Sequence, residues 1–86
     1  MKLTDNGCCY SVNLSAADVA DWAQNWPCFG TPRAVWFQFE RETEDLVDMS
    51  NTTGIDDGAI LALSHDAQEW ADKKLTWRQI VERNGS

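Results

Sequence analysis

Residues 34–40 read Ala-Val-Trp-Phe-Gln-Phe-Glu, and this stretch decides the fold class. Apolar and polar residues alternate in it: the valine and both phenylalanines fall on one side, Trp36 and Gln38 on the other. Side chains of a β-strand point alternately to its two faces, so the pattern predicts a strand with one buried face. Trp36 is then a large apolar side chain on the face that carries polar residues.

On the N-terminal side the pattern predicts another strand and a helix. Residues 8–14 alternate in the same way, which is typical of a half-buried strand. Ser15 follows as a helix N-cap, and Asp18, three residues later, completes a capping box. An apolar stripe with helical spacing continues as far as Trp26, and Pro27 ends the helix, because the residue before proline avoids the helical conformation.

On the C-terminal side we expect a short strand and two helices. Residues 46–49 are predicted to form a strand that pairs with residues 34–40, after the polar tip 41–45. Apolar residues then recur three or four apart over 58–74, which predicts an amphipathic helix. Thr76 and Gln79 form a second capping box, so a short last helix begins there.

The predicted order is therefore β-α-β-β-α-α. The chain has 86 residues, which is enough for one domain, so we expect a single domain over 1–86. Few strands and two longer amphipathic helices favour an α+β fold, a small two-layer sandwich. In it, a three-stranded sheet carries both longer helices on one face, and the short C-terminal helix completes the chain.

Composition excludes several classes of function. The formal net charge is −7, the wrong sign for a protein that grips nucleic-acid phosphates, so no direct nucleic-acid binding is expected. No apolar run approaches the roughly 20 residues of a membrane span. The N-terminus lacks the apolar stretch of a secretion signal, and an odd number of cysteines then indicates a reducing compartment. We therefore expect a cytoplasmic protein without membrane contact.

The cysteines are predicted to be free thiols. Cys8 and Cys9 are adjacent, and adjacent strand residues point to opposite faces, so they are poorly placed to share one metal ion. Cys28 has no second cysteine two residues away, as a redox or zinc motif requires. We expect no metal site and no cofactor.

Catalytic motifs are also missing from the sequence. It contains no GxGxxG, P-loop, HExxH or Gly-x-Ser-x-Gly pattern, and His65 is its single histidine. Glu40 and Glu42 lie two residues apart, as an acid and base pair of a small hydrolase could, but so short a chain rarely forms a deep cleft beside its core. We predict that the protein is not an enzyme and assign no catalytic residue.

Negative charge is concentrated in one region. Residues 40–57 hold seven acidic side chains and one basic side chain, a net charge of −6. One interpretation is a solvated tip that keeps the protein soluble; the other is a patch that attracts a basic partner. The residues of this predicted acidic patch are Glu42, Glu44, Asp45, Asp56 and Asp57.

A second candidate surface is the face of the sheet that the helices leave open. Each long helix has one apolar stripe and can cover only one face. The alternation places a set of residues on the other face, where Trp36 would be the anchor of a contact surface. Alternatively, Trp36 packs under the loop 27–32 or under the last helix. The predicted partner-binding residues are Trp36, Gln38, Glu40, Leu46 and Asp48.

These features favour a non-enzymatic acidic interaction domain that acts through a protein partner or by self-association. The partner could present a basic surface, and a homodimer is one form of the hypothesis. A narrower alternative is a DNA mimic, whose carboxylates imitate phosphates and inhibit a nucleic-acid-binding protein, as in accessory proteins of phages and mobile elements. Phosphates recur every ~3.4 Å along one DNA strand, whereas same-face strand residues recur every ~6–7 Å, so the match is loose.

Overall fold

The computed structural model describes residues 1–27, 29–73 and 75–85, with Lys73 described by its backbone alone; Cys28 and Lys74 lie outside the described residues. The described chain forms one antiparallel sheet, with strand order β1-β2-β3-β4, and three helices. The α+β class is therefore confirmed. In chain order the elements are β1 (Lys2–Asp5), β2 (Cys9–Leu14), α1 (Ala16–Ala23), β3 (Val35–Glu40), β4 (Leu46–Ser50), α2 (Asp57–Lys73) and α3 (Trp77–Asn84).

The prediction of three strands was wrong, because it missed β1. This strand pairs antiparallel with β2, so that Lys2 lies opposite Asn13. Asn6 and Gly7 form the connecting turn: the Asn6 N–H donates to the Cys9 carbonyl at 2.8 Å, and Gly7 has a φ of +85°. Asn-Gly is a strong hairpin signal. Every residue of β1 is exposed, however, so the strand lacks the alternation that marks a buried face.

The two central strands supply the sheet's part of the core, as the alternation predicts. Their buried side chains face one another in register, and the helices cover them. Burial of this apolar surface is the main favourable contribution to folding. The facing pairs are Tyr10 with Phe39, Val12 with Phe37, and Leu14 with Val35.

The helices begin where their capping boxes predict. The Ser15 hydroxyl accepts from the Asp18 N–H, and the Asp18 carboxylate accepts from the Ser15 N–H. Thr76 and Gln79 cap α3 in the same reciprocal way. Helix α1 ends at Ala23, earlier than predicted. No helix in the described part of the chain has the length and apolar character needed to cross a bilayer.

Two buried tryptophans join the helices to one another. The Trp22 indole N–H donates to the Asp66 carboxylate at 2.7 Å, which links α1 to α2. The Trp77 indole N–H donates to the Asp18 carbonyl at 2.9 Å, which links α3 to α1. A buried indole N–H needs such an acceptor. The polar end of each ring therefore links neighbouring helices within the layer that covers the sheet.

A bulge in β4 corrects the predicted position of Leu46. Asp48 lies opposite Gln38, but Leu46 rather than Val47 lies opposite Phe39, so one extra residue enters β4. An extra residue reverses the alternation beyond it. The expectation that Leu46 faces the open side was therefore wrong: it packs against the core. Val47, the next residue, is 49% exposed.

Candidate interaction surface

The face of the sheet opposite the helices forms a polar surface, here called the open face. Strand pairing aligns its side chains in rows that run across the sheet. Same-face residues recur every ~6.7 Å along a strand, so the rows are separated by about that distance. The first row is Lys2, Asn13, Trp36 and Ser50; the second is Thr4, Ser11, Gln38 and Asp48; the third is Cys9 and Glu40.

Trp36 is the large apolar side chain of the open face. It is half-buried and lines a groove of about 410 Å³ together with Lys2, Asn13 and Ser50. Among the described residues, neither the core nor the apolar side chains packed against it include Trp36. No described residue of the loop 27–32 or of α3 lines this groove. Trp36 therefore lies beside small polar neighbours, outside the helix-covered core.

The structure brings four of the five predicted partner-binding residues to this surface. Gln38 and Glu40 are half-buried on the same face of β3 as Trp36, and Asp48 is exposed on β4. The Asp48 carboxylate accepts from the Met49 N–H at 2.8 Å, so it also satisfies a backbone group of this edge strand. Leu46 does not belong to the surface, because the bulge turns it to the core.

The predicted acidic patch separates into two groups. Glu42, Glu44 and Asp45 are exposed in the turn between β3 and β4. Asp56 instead caps the start of α2, where its carboxylate accepts from the Ala59 N–H at 3.1 Å. The acidic turn contacts α2 at the other end of the helix, near Asp72, which lies about 22 Å from Asp57 at the ordinary helical rise. Asp56 and Asp57 are therefore not part of one patch with the turn.

Glu44 is the residue that ties this turn to α2. Its carbonyl accepts from the Gln68 side-chain amide at 2.6 Å, and the same amide reaches the Tyr10 hydroxyl at 3.2 Å. The backbone of Glu44 has a φ of +61°, a region that non-glycine residues rarely occupy. Glu44 therefore holds an unfavourable backbone conformation in a position fixed by α2.

A pair of carboxyl groups that the sequence did not predict meets at this contact. The hydrogen bond between the Glu44 and Asp72 side chains, together with the charge of Asp72 and a smaller contribution from desolvation, raises the pKa of Glu44 above its ordinary value. Burial likewise raises the pKa of the Tyr10 phenol nearby. Gln68 and Asp72 lie one helical turn apart, which places them on one face of α2. Helical spacing alone could not have shown that Glu44 lies over them.

Stability should fall as pH rises through the titration of Glu44. The folded state binds this proton more tightly than the unfolded state, so the loss begins near the ordinary value of 4.5 and ends above the raised pKa. Glu44→Gln should remove this decline and raise stability at pH 7. Urea unfolding midpoints at pH 4 and pH 7 measure this pH dependence of stability. Glu42→Gln, in the same turn, is the control. An unchanged pH dependence in Glu44→Gln would contradict the carboxyl pairing.

The cysteine geometry also differs from the prediction. Cys8 precedes β2 and lies in the turn, so strand alternation does not apply to it. The two sulfur atoms, Sγ of Cys8 and Sγ of Cys9, lie 3.9 Å apart and share a hydrogen bond. Burial, this hydrogen bond and the charge of Glu40 raise the pKa of the Cys9 thiol. Within the described residues, no group of three or more His, Cys, Asp or Glu side chains is placed to hold a metal ion.

We expect the purified protein to contain three free thiols and no stoichiometric zinc. Thiol titration and elemental analysis of anaerobically purified protein measure both. Because the pKa of Cys9 is raised, its thiol should react with iodoacetamide at pH 8 more slowly in the folded protein than in urea. One equivalent of zinc per chain, or equal reaction rates in the two states, would contradict the expectation.

A wider groove of about 610 Å³ lies between α1 and α3. Its lining mixes acidic and basic side chains, among them Asp21 and Arg78. Its one aromatic ring, Trp77, is buried and already hydrogen-bonded to Asp18. The open face is therefore the better candidate surface, because its aromatic side chain is not part of the core.

Similarity to known proteins gives no indication of function, so the function is inferred from the open face. The chain matches no protein-family model. It also matches no curated protein and no solved structure.

Proposed function

We propose that this protein is a non-enzymatic interaction domain that binds a protein through its open face, with Trp36 as the anchor. The main observation that supports this proposal is the position of Trp36, which is half-buried in a groove among small polar side chains and lies outside the core. Tryptophan is enriched among the residues that dominate binding energy, and such anchors are surrounded by polar contacts that exclude water. The open face has this composition.

The lining of the groove supports binding rather than catalysis. Lys2 is the one ionisable side chain among its described lining residues. General acid–base catalysis needs titratable groups that converge on one substrate position. Glu40 and Glu42, the candidate hydrolase pair, line a separate recess of about 280 Å³ beside Cys8. We therefore favour a binding domain that works in the cytoplasm, where its thiols stay reduced.

The acidic turn has a secondary part in this proposal. Glu42, Glu44 and Asp45 are exposed beside Asp72, and such a cluster attracts a basic partner over a distance. A DNA mimic needs a continuous row of carboxylates. Between Asp57 and Asp72, about 22 Å apart, the carboxylates of Asp66 and Glu69 are paired with Arg83, which argues for steering of a partner over imitation of a DNA backbone.

Affinity capture from the native cell tests the proposal. The wild-type protein, Trp36→Ala and Leu61→Ala serve as baits, and mass spectrometry identifies the retained proteins. Leu61 is a matched control, because it is 54% exposed and lies on α2 rather than on the open face. We expect a protein that binds wild type and Leu61→Ala but not Trp36→Ala. Equal retention by all three baits would contradict a role for the open face.

Charge reversal of the acidic turn should slow association with that partner. Glu42, Glu44 and Asp45 changed together to Lys should lower the association rate about tenfold or more at low salt, because opposite charges accelerate encounter. The effect should shrink as salt rises, since the Debye length falls to about 8 Å at 0.15 M. Surface plasmon resonance at several salt concentrations measures it. An unchanged rate at low salt would indicate that the acidic turn serves solubility alone.

A further inference from the structure

We propose that the open face binds a second copy of this chain, with a two-fold axis that runs parallel to the strands between β2 and β3. This inference rests on the proposed function, because it uses the same face and the same anchor. The evidence is the arrangement of side-chain size and charge across the four strands, which is complementary to itself under that one rotation.

The axis determines which strands meet. A two-fold rotation about the strand direction lays β2 of one copy over β3 of the other, and β1 over β4. This rotation does not change the position of a row along the strand direction, so each row faces the same row of the second copy. In the first row Trp36 covers the second copy's Asn13, and in the second row Gln38 lies over the second copy's Ser11, a small side chain that is only 3% exposed.

Side-chain size is complementary in this arrangement. The open face of β3 carries larger side chains than the open face of β2 at each paired position. Each larger side chain of one copy therefore lies over a smaller side chain of the other, which lets the two surfaces fit closely, as protein interfaces require. The three β3/β2 pairs are Trp36 with Asn13, Gln38 with Ser11, and Glu40 with Cys9.

Charge is complementary as well. Lys2 lies on β1 and Asp48 on β4, one row apart. The rotation therefore brings Lys2 of each copy near Asp48 of the other copy. Packed sheets lie about 10 Å apart, a gap that a lysine and an aspartate side chain can span together. A two-fold axis in the sheet plane but across the strands would instead lay β3 on β3 and β4 on β4. That arrangement stacks Gln38 on Gln38 and Asp48 on Asp48, and like charges that face each other are unfavourable.

The area of the open face indicates a weak dimer. The ten positions of the open face, each about 4.8 Å by 6.7 Å, cover roughly 320 Å² in projection on each copy. The accessible area, with side chains, brings the total for both copies to no more than about 1,200 Å², the lower limit for specific interfaces. We therefore expect reversible dimerisation with a dissociation constant of roughly 10–300 µM.

Sedimentation velocity from 10 µM to 1 mM tests the dimer. Wild type and Leu61→Ala should shift from monomer towards dimer over this range, and Trp36→Ala should need about 30-fold higher concentrations to reach the same dimer fraction. Wild type that is monomeric at 1 mM overturns this inference; the proposed function then still stands if capture yields a partner that depends on Trp36. Dimerisation of Trp36→Ala equal to wild type overturns this inference as well, because the dimer then uses another surface, and the capture experiment alone decides the proposed function.

A charge exchange tests the axis itself. Lys2→Glu and Asp48→Lys should each weaken self-association about tenfold, because each places like charges opposite in both symmetry-related pairs. An equimolar mixture of the two variants should regain the wild-type affinity as a heterodimer, since both pairs are then opposite in charge. Circular dichroism confirms that both variants are folded, which matters because Asp48 also binds the Met49 N–H. A mixture no tighter than the single variants overturns the proposed axis.

Discussion

Trp22→Ala is expected to lower the free energy of unfolding by about 3–5 kcal/mol, the usual cost of truncating a fully buried tryptophan. Trp22 is 0% exposed, its ring stacks on Trp26 with centroids 5.4 Å apart, and it meets the edge of Phe29. A domain of this length has a total stability of roughly 4–13 kcal/mol. The variant should therefore be largely unfolded if the wild-type stability lies at the lower end of this range, and should unfold at a clearly lower urea concentration otherwise, as urea denaturation and near-ultraviolet circular dichroism would show.

Trp22→Phe separates packing from hydrogen bonding at the same site. Phenylalanine keeps an aromatic ring against Trp26 but cannot donate to Asp66. We expect a loss smaller than that of Trp22→Ala, of about 1–3 kcal/mol, from the missing hydrogen bond and the smaller ring. A near-zero loss in both variants would show that α1 is not held to α2 through this side chain.

Trp36→Ala, unlike Trp22→Ala, should affect association more than stability. Association through the open face should weaken by about 2 kcal/mol or more, roughly 30-fold, whereas the free energy of unfolding should change by less than about 1.5 kcal/mol. The reason is that Trp36 lies outside the core, in a groove beside Asn13 and Ser50. Sedimentation velocity measures the change in association, and urea denaturation measures the change in the free energy of unfolding. A stability loss of about 3–5 kcal/mol would assign Trp36 to the core and refute the interaction surface.

Most elements of the fold could be predicted because their signals are local. The capping boxes at Ser15 and Thr76 set the starts of α1 and α3, and alternation set β3. Strand β1 could not be predicted in this way, because it is exposed along its whole length and exists by pairing with β2. The position of Leu46 failed for a related reason: a bulge is a property of two paired strands and does not show in the alternation of one.

The candidate surface could likewise be predicted only in part. Trp36 could be assigned to the open face from alternation alone, because β3 is regular from end to end. The contact of Glu44 with Asp72 depends on where α2 lies over the turn, which no spacing in the sequence encodes. The proximity of Cys8 and Cys9 was missed because β2 begins one residue later than expected, and alternation applies only within a strand.

The pairing of β2 with β3 has a consequence for how the chain folds. Three residues separate β1 from β2 and five separate β3 from β4, so each hairpin can close on the microsecond scale. Twenty residues, including all of α1, lie between the two central strands. Closing this longer loop costs entropy that only central strand pairing and the apolar contacts beneath it recover. We therefore expect the pairing of β2 with β3, rather than the closing of either hairpin, to be the slow event in folding, and Trp22, on the connecting helix, to contribute to that step.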